Sequence, residues 1–204
     1  MKIKLSDTIC ITDPCYPREF HHCAAFDFKI KEGDYLVDVQ YSNEGDWGMR
    51  VKSLSIFHDT VKVSHNGFKL NKDVNVSVDS GQAGFFCNSI YPQGKTGDYH
   101  DKTSFYGQVC NATHGDDVED LKHYILEHQA IIKLLPNKKD YYESEINLLK
   151  NRLKKAEEST KPYGYDSILE AGVVSSSGFG DGGYPLYEKK NSKGEVVALK
   201  IKFI

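Results

Sequence analysis

Three features are missing from this sequence, and each absence narrows the class of protein. The chain of 204 residues has no apolar run near the ~18 residues that a membrane-spanning helix needs. It has no signal-peptide pattern at its start. Basic residues are not in excess, since 26 lysines and arginines stand against 29 acidic residues for a net charge of -3, which disfavours a dedicated nucleic-acid surface. We therefore expect a cytoplasmic protein that is not anchored in a membrane.

Cysteine pairing is also disfavoured. The cysteine count is odd, and the five residues are Cys10, Cys15, Cys23, Cys87 and Cys110. An odd count without an export signal predicts free thiols. Two histidines lie in the same stretch as the first three cysteines, but the spacing fits no common zinc finger.

Alternation of apolar and polar residues predicts strands over most of the chain outside residues 116–160. The clearest examples are residues 35–41 and 74–78. Asn66-Gly67 predicts a tight hairpin between two strands. The apolar C-terminal segment, residues 196–204, is expected in the middle of a sheet, because a free apolar strand would aggregate. The fold class predicted is α+β, with a mainly antiparallel β core that forms a barrel or a sandwich.

Residues 116–160 have a different pattern. Apolar residues recur at helical spacing up to Leu135, Pro136 interrupts them, and Asp140 could cap a second helix. The pattern predicts a helical hairpin inserted into a single domain of residues 1–204. Its many lysines and glutamates fit either a solvated face or an arm that binds a partner.

Three turns rich in aspartate and glycine follow predicted strands. They contain Asp13, Asp79 and Asp181, and each carboxylate could simply accept hydrogen bonds within its own turn. We expect instead that the three turns meet at one edge of the core and form a polar cleft. The predicted ligand-binding residues are Asp13, Cys15, Tyr16, Trp47, Asp79, Ser80, Gln82, Ser177, Asp181 and Tyr184.

The chemistry of this cleft stays open at the level of sequence. A divalent cation held by Asp13, Asp79 and Asp181 is chemically sensible, because Mg²⁺ takes carboxylates and waters. Asp79-Ser80-Gly81 has the form of an aspartic-protease motif, but the chain has no second copy. The glycine-rich segment 175–184 is neither a Walker motif nor a Rossmann fingerprint. No catalytic residue and no other cofactor can be named.

The same segments resemble a family of uncharacterised bacterial and phage proteins, a domain of unknown function. The resemblance rests on residues 13–16, 78–84, 105–110 and 172–184 with the residues 194–197 that follow, and it covers about two thirds of the chain. Residues 116–160 lie outside the pattern. Where the family has an acidic residue after Gly84, this chain has Cys87-Asn88. The resemblance implies no activity.

Two functions are consistent with these observations. The first is a domain that binds a nucleotide-like or phosphorylated small molecule, with hydrolysis as an open question, in which Trp47, Tyr16 or Tyr184 would stack on the ligand. The second is a non-catalytic protein that inhibits or sequesters a protein partner through the helical hairpin, as in phage–host conflict. Whether the protein is an enzyme, and in which oligomeric state it acts, is left open.

Overall fold

A computed structural model describes residues 1–22, 24–98, 101, 103–113, 118–158, 165–168 and 172–204. Cys23 and both predicted ends of the helical hairpin, at residues 116 and 160, lie outside the described residues. The chain divides into two compact units, Met1–Thr113 with Tyr163–Ile204, and His114–Pro162. That the second unit is an insertion into one domain stays a prediction.

Within the described residues, the first unit contains all the strands and one helix. In chain order the strands are β1 (Lys2–Leu5), β2 (Thr8–Thr12), β3 (Ala25–Lys29), β4 (Gly33–Asn43), β5 (Met49–His58), β6 (Lys69–Val78), β7 (Gln82–Cys87), β8 (Tyr165–Ile168), β9 (Gly172–Ser176), β10 (Gly182–Lys190) and β11 (Val196–Lys202), and the helix is α1 (Phe105–Thr113). A short 3-10 turn, Gly45–Trp47, joins β4 to β5.

The strands form two antiparallel sheets. One has six strands in the order β1-β4-β5-β11-β10-β6, and the other has five in the order β3-β2-β7-β9-β8. Strands make up 42% and helices 24% of the structure, so the predicted α+β class is confirmed. The sheets are not closed into a barrel, which removes that alternative.

Two local predictions have opposite outcomes. The C-terminal strand β11 lies between β5 and β10, in the interior of its sheet as predicted. The hairpin predicted at Asn66-Gly67 is wrong. Gly67 does turn, with φ 80, but the flanking strands β5 and β6 are not neighbours, because β11 and β10 lie between them.

One apolar core lies between the sheets. It combines Leu54, Ile56 and Leu199 of the six-stranded sheet with Ile9 and Phe85 of the five-stranded sheet, all 0% exposed. A second apolar cluster includes Phe86 and Val174 together with Val109 of α1. Helix α1 contacts β8 and β9, so it packs on the five-stranded sheet.

The second unit consists of helices α2 (Val118–Leu134) and α3 (Lys139–Glu158), separated by a 3-10 turn, Pro136–Lys138. Their contact face buries Leu121, Ile125, Ile146 and Leu149. Asp140 was predicted to cap this helix, but α3 begins at Lys139 and Asp140 lies within its first turn, where a carboxylate interacts favourably with the helix dipole. In the part of the chain that the structure describes, no helix is both long and apolar enough to cross a membrane.

Candidate functional site

The turn after β2 is built around the carboxylate of Asp13. Pro14 restricts the backbone of Asp13 to an extended conformation, and the side chain turns inward, where it is 0% exposed. Oδ1 accepts hydrogen bonds from the Cys15 amide at 2.7 Å and the Ser80 hydroxyl at 2.7 Å. Oδ2 accepts from the amides of Asp79 at 2.8 Å and Ser80 at 2.7 Å. Each carboxylate oxygen therefore accepts two hydrogen bonds from groups within the protein.

These bonds connect the two sheets. Asp13 follows β2 of the five-stranded sheet, whereas Asp79 and Ser80 follow β6 of the six-stranded sheet. Because three of the four donors come from the second turn, Asp13 is more than a cap of its own turn. We call this arrangement the Asp13 clasp, and it comprises Asp13, Cys15, Asp79 and Ser80.

The third predicted turn lies beside the clasp. The Ser177 amide donates to the Gly81 carbonyl at 3.0 Å, so the turns after β6 and β9 are in contact. The Tyr184 hydroxyl donates to the carbonyls of Ser177 at 2.9 Å and Gly180 at 2.6 Å. Burial raises the pKa of this hydroxyl. Tyr184 therefore closes the turn from within, while Asp181 at its tip is exposed.

Tyr16 and Cys15 are also held by internal contacts. Tyr16 is 7% exposed, and its ring stacks on Phe20 with centroids 5.6 Å apart. The Tyr91 hydroxyl donates to the Tyr16 carbonyl at 2.6 Å, and Thr96 Oγ1 donates to the Cys15 carbonyl at 2.9 Å. These bonds fix the backbone of the turn that carries Asp13.

Next to the clasp lies a small group of buried polar side chains. Gln82 is 0% exposed, and its Nε2 donates to Cys110 Sγ at 3.4 Å. Burial raises the pKa of the Cys110 thiol. Burial, and then the charge of Asp13, raise the pKa of Cys15. Both sulfurs are therefore held as thiols, whereas a nucleophilic cysteine needs a lowered pKa.

A second group of polar side chains, which the sequence pattern did not predict, lies at the far end of β7. The Arg18 guanidinium donates at 2.7 Å to both the carbonyl and Oδ1 of Asn88, and it lies 3.6 Å from the Asp27 carboxylate. Cys10 Sγ donates to Asn88 Oδ1 at 3.1 Å, and burial raises the Cys10 pKa to about 12. Asn88 thus follows β7, near the position at which the sequence resemblance implied an acidic residue, and it accepts two hydrogen bonds from Arg18.

Trp47 is the predicted aromatic that faces solvent. Its side chain is 67% exposed and that of Phe179 is 56% exposed, and their rings meet edge to face with centroids 6.3 Å apart. Arg50 Nε donates to the Trp47 carbonyl at 2.9 Å. Phe179 and Arg50 were not among the predicted residues. A phenylalanine between two glycines in a turn is the signal that could have indicated Phe179.

The turn that carries Phe179 is fitted closely to the sheet. Gly178 has φ 64, and a Cβ there would lie 3.2 Å from the Val51 carbonyl oxygen and 3.1 Å from Phe203 Cβ. Glycine permits this approach. It brings the turn against β5, directly after the Gly45–Trp47 turn.

The predicted metal site receives no support from this geometry. In the described ranges, no group of three or more histidine, cysteine, aspartate or glutamate side chains could hold a metal ion. The oxygens of Asp13 already accept four hydrogen bonds. The structure thus brings the turns of Asp13, Asp79 and Ser177 together, while Asp181, Trp47 and Phe179 face solvent. That any of these residues binds a ligand stays a prediction.

Comparison with known proteins adds the family. No curated protein and no solved structure matches the chain. One family model matches residues 4–201, a larger share than the two thirds over which the sequence resemblance was expected. Because this match covers nearly the whole chain, the protein belongs to the family described as "Protein of unknown function (DUF4241)".

Proposed function

We propose that this protein binds a small planar molecule that carries a phosphate, of the nucleotide class, on the exposed surface formed by Trp47, Arg50 and Phe179. The observation that carries the proposal is the exposed edge-to-face pair of Trp47 and Phe179. Two large aromatic side chains left in water at the tips of adjacent turns have little reason to be there for stability, and they offer a stacking surface.

Arg50 gives this surface its selectivity for an anion. Its Nε donates to the Trp47 carbonyl, which holds the guanidinium near the backbone of the turn that carries Trp47. The two amino groups of a guanidinium form a fork that matches two phosphate oxygens. A ring stacked on Trp47 would carry its phosphate towards Arg50, and the exposed carboxylate of Asp181 would be available to a sugar hydroxyl or an exocyclic amine.

A rigid support strengthens the proposal. The Phe179 turn is held by Tyr184 and by the Ser177–Gly81 bond, and Gly81 follows the clasp residue Ser80. Fixing the backbone of the Phe179 turn before the ligand arrives reduces the ordering cost of binding. Hydrolysis has no comparable support, because the Cys10, Cys15 and Cys110 thiols have raised pKa values and, among the residues that the structure describes, no activated nucleophile accompanies the aromatic pair.

The chain offers a direct test, because Trp47 is its single tryptophan. We expect AMP, GMP and UMP to quench Trp47 fluorescence saturably, adenosine to bind more weakly, and ribose 5-phosphate to leave the signal unchanged. Phe179→Ala should weaken AMP binding about fivefold, for a loss of roughly 1 kcal/mol, and Arg50→Gln should remove the preference for AMP over adenosine. Tyr141→Ala is the matched control, since Tyr141 is an aromatic 63% exposed in the other unit. Equal quenching by all compounds, or none at millimolar ligand, would contradict the proposal.

A second candidate function rests on the helical unit. Four large apolar side chains there are largely exposed: Leu126 at 63%, Leu134 at 79%, Tyr141 at 63% and Leu148 at 51%. Apolar exposure of this kind is typical of surfaces that bind protein. We infer a non-catalytic interaction role as the alternative. A Leu126→Glu, Leu148→Glu variant that folds normally should lose a protein that the wild type captures, whereas identical captured proteins would refute this role.

A further inference from the structure

A row of polar side chains crosses the outer face of the six-stranded sheet. Asp38 of β4 is paired with Ser55 of β5, Ser55 with Lys200 of β11, and Lys200 with Tyr187 of β10. Residues directly opposed on neighbouring strands point to the same face, with Cβ atoms about 5 Å apart. The opposite face, with Leu54 and Ile56, belongs to the core.

The hydroxyl in the middle of this row is buried without a partner. Ser55 is 0% exposed, yet its Oγ has no hydrogen-bond partner within the described part of the chain. A buried hydroxyl left unbonded costs stability, so a ligand that accepts a hydrogen bond from Ser55 would remove that cost. His65 belongs to the segment that covers this face. Its Nδ1 is also buried and has no hydrogen-bond partner among the described residues.

Two lysine ammonium groups lie close to the ring of Phe68. The Nζ atoms of Lys189 and Lys200 each lie 4.5 Å from the centre of the Phe68 ring. Burial lowers the pKa of both, and the charges of Lys189 and Lys202 lower that of Lys200 further. Among the described residues, neither Lys189 nor Lys200 forms an ion pair with a carboxylate. No described carboxylate balances either positive charge, and Lys189 Nζ donates a hydrogen bond to the Ser64 carbonyl.

The nearby carboxylate, that of Asp38, faces the segment that covers this side of the sheet. Its Oδ2 lies 3.1 Å from His65 Nε2, although it forms no hydrogen bond with any described residue. The His65 ring also packs edge to face on Phe57, with centroids 5.7 Å apart. Asp38 is thereby drawn to the covering segment rather than to the lysines.

From this arrangement we propose a second ligand site, an oxyanion site of the phosphate class, in which Lys189 and Lys200 supply the charge and the Ser55 hydroxyl donates to an anion oxygen. A phosphate group has enough oxygens to receive both ammonium groups and the hydroxyl at once. The phosphate could be inorganic phosphate or the terminal group of a monoester. The site does not depend on the proposed nucleotide surface, because Ser55 lies six residues along β5 from Met49, roughly 20 Å away.

The test is phosphate binding to the full chain at constant ionic strength, measured by calorimetry and by thermal unfolding. We expect saturable binding of inorganic phosphate, of glycerol 3-phosphate, or of both, and the difference between the two identifies the source. Lys200→Gln should weaken binding about tenfold or more. Ser55→Ala should weaken binding several-fold while the Tm without phosphate stays equal or rises, an outcome that a purely structural role of the hydroxyl would not give.

Two controls keep the result interpretable. Lys193→Gln makes the same charge change in the exposed β10–β11 turn and should bind phosphate as the wild type does. Arg50→Gln, which removes the guanidinium assigned to the phosphate on the nucleotide surface, should also leave phosphate binding unchanged, which separates the two sites. If Lys200→Gln fails to fold, phosphate binding is measured with Lys200→Arg and Ser55→Ala instead. Absence of saturable binding to either probe, or equal weakening in Lys193→Gln, would overturn the proposal.

Discussion

Removal of the Asp13 carboxylate should be among the single changes that most reduce the stability of the first unit, which contains the two β-sheets. Its oxygens accept four hydrogen bonds of 2.7 to 2.8 Å, three from backbone amides and one from a hydroxyl. Hydrogen bonds to a charged group are each worth about 1.5–3 kcal/mol, and they are not additive. Asp13→Ala leaves three amide donors without their acceptor, so we expect a loss of about 3–5 kcal/mol in the free energy of unfolding. That is a large part of the 5–15 kcal/mol typical of a folded protein.

Asp13→Asn is the sharper variant, because it keeps the shape and removes one acceptor. Its amide nitrogen would face amide donors, so we expect a loss of at least ~2 kcal/mol. Asp181→Asn makes the same change at an exposed position and should stay within about 0.5 kcal/mol of the wild type. The assay is urea unfolding followed by circular dichroism and by Trp47 fluorescence, whose agreement checks two-state behaviour. A loss below about 1 kcal/mol in Asp13→Asn would refute the clasp.

Three further changes test other parts of the structure. Burial raises the Cys10 pKa from 9.0 to about 12, so the unfolded chain releases this proton first as pH rises. The urea midpoint should therefore fall as pH rises from about 9 towards about 12, and an unchanged midpoint counts against a buried thiol. Replacing residues 116–160 by a short Gly/Ser linker should leave a folded β unit by circular dichroism, and an insoluble product would mean that the helices belong to its core. Gly84→Ala would place a Cβ 2.5 Å from the Val173 carbonyl oxygen and should lower the stability by about 2 kcal/mol in urea unfolding, whereas Gly94→Ala, with nothing within 4 Å of its Cβ, should not.

The period-two pattern predicted the strands well, because it records which face of a strand is buried. It could not predict which strands are neighbours. Asn66-Gly67 has the residues of a hairpin turn, but a turn signal is local, and β10 and β11 enter between β5 and β6 from more than a hundred residues later in the chain. Non-local pairing of this kind has no signature in a short window of sequence.

The candidate site was predictable in part. That the turns of Asp13 and Asp79 meet followed from a carboxylate placed after each strand. Which partner the carboxylate takes did not follow, since Asp13 binds backbone amides of the other turn rather than a ligand. The Ser55–Lys200 row could not be found at all from sequence, because Ser55 and Lys200 become neighbours only through the pairing of β5 with β11.

Buried polar residues and exposed aromatic residues have different roles in this structure. Asp13, Tyr184 and Gln82 have their polar atoms bound to the protein itself, so they have little capacity left for a ligand. Trp47 and Phe179 are exposed, and the turn that carries Phe179 is held by the Tyr184 hydroxyl. If this is how the protein works, Asp13→Asn should weaken nucleotide binding only as far as it loosens the Phe179 turn, and lowering the temperature should restore binding. A variant that stays fully folded and yet cannot bind would show instead that Asp13 contacts the ligand.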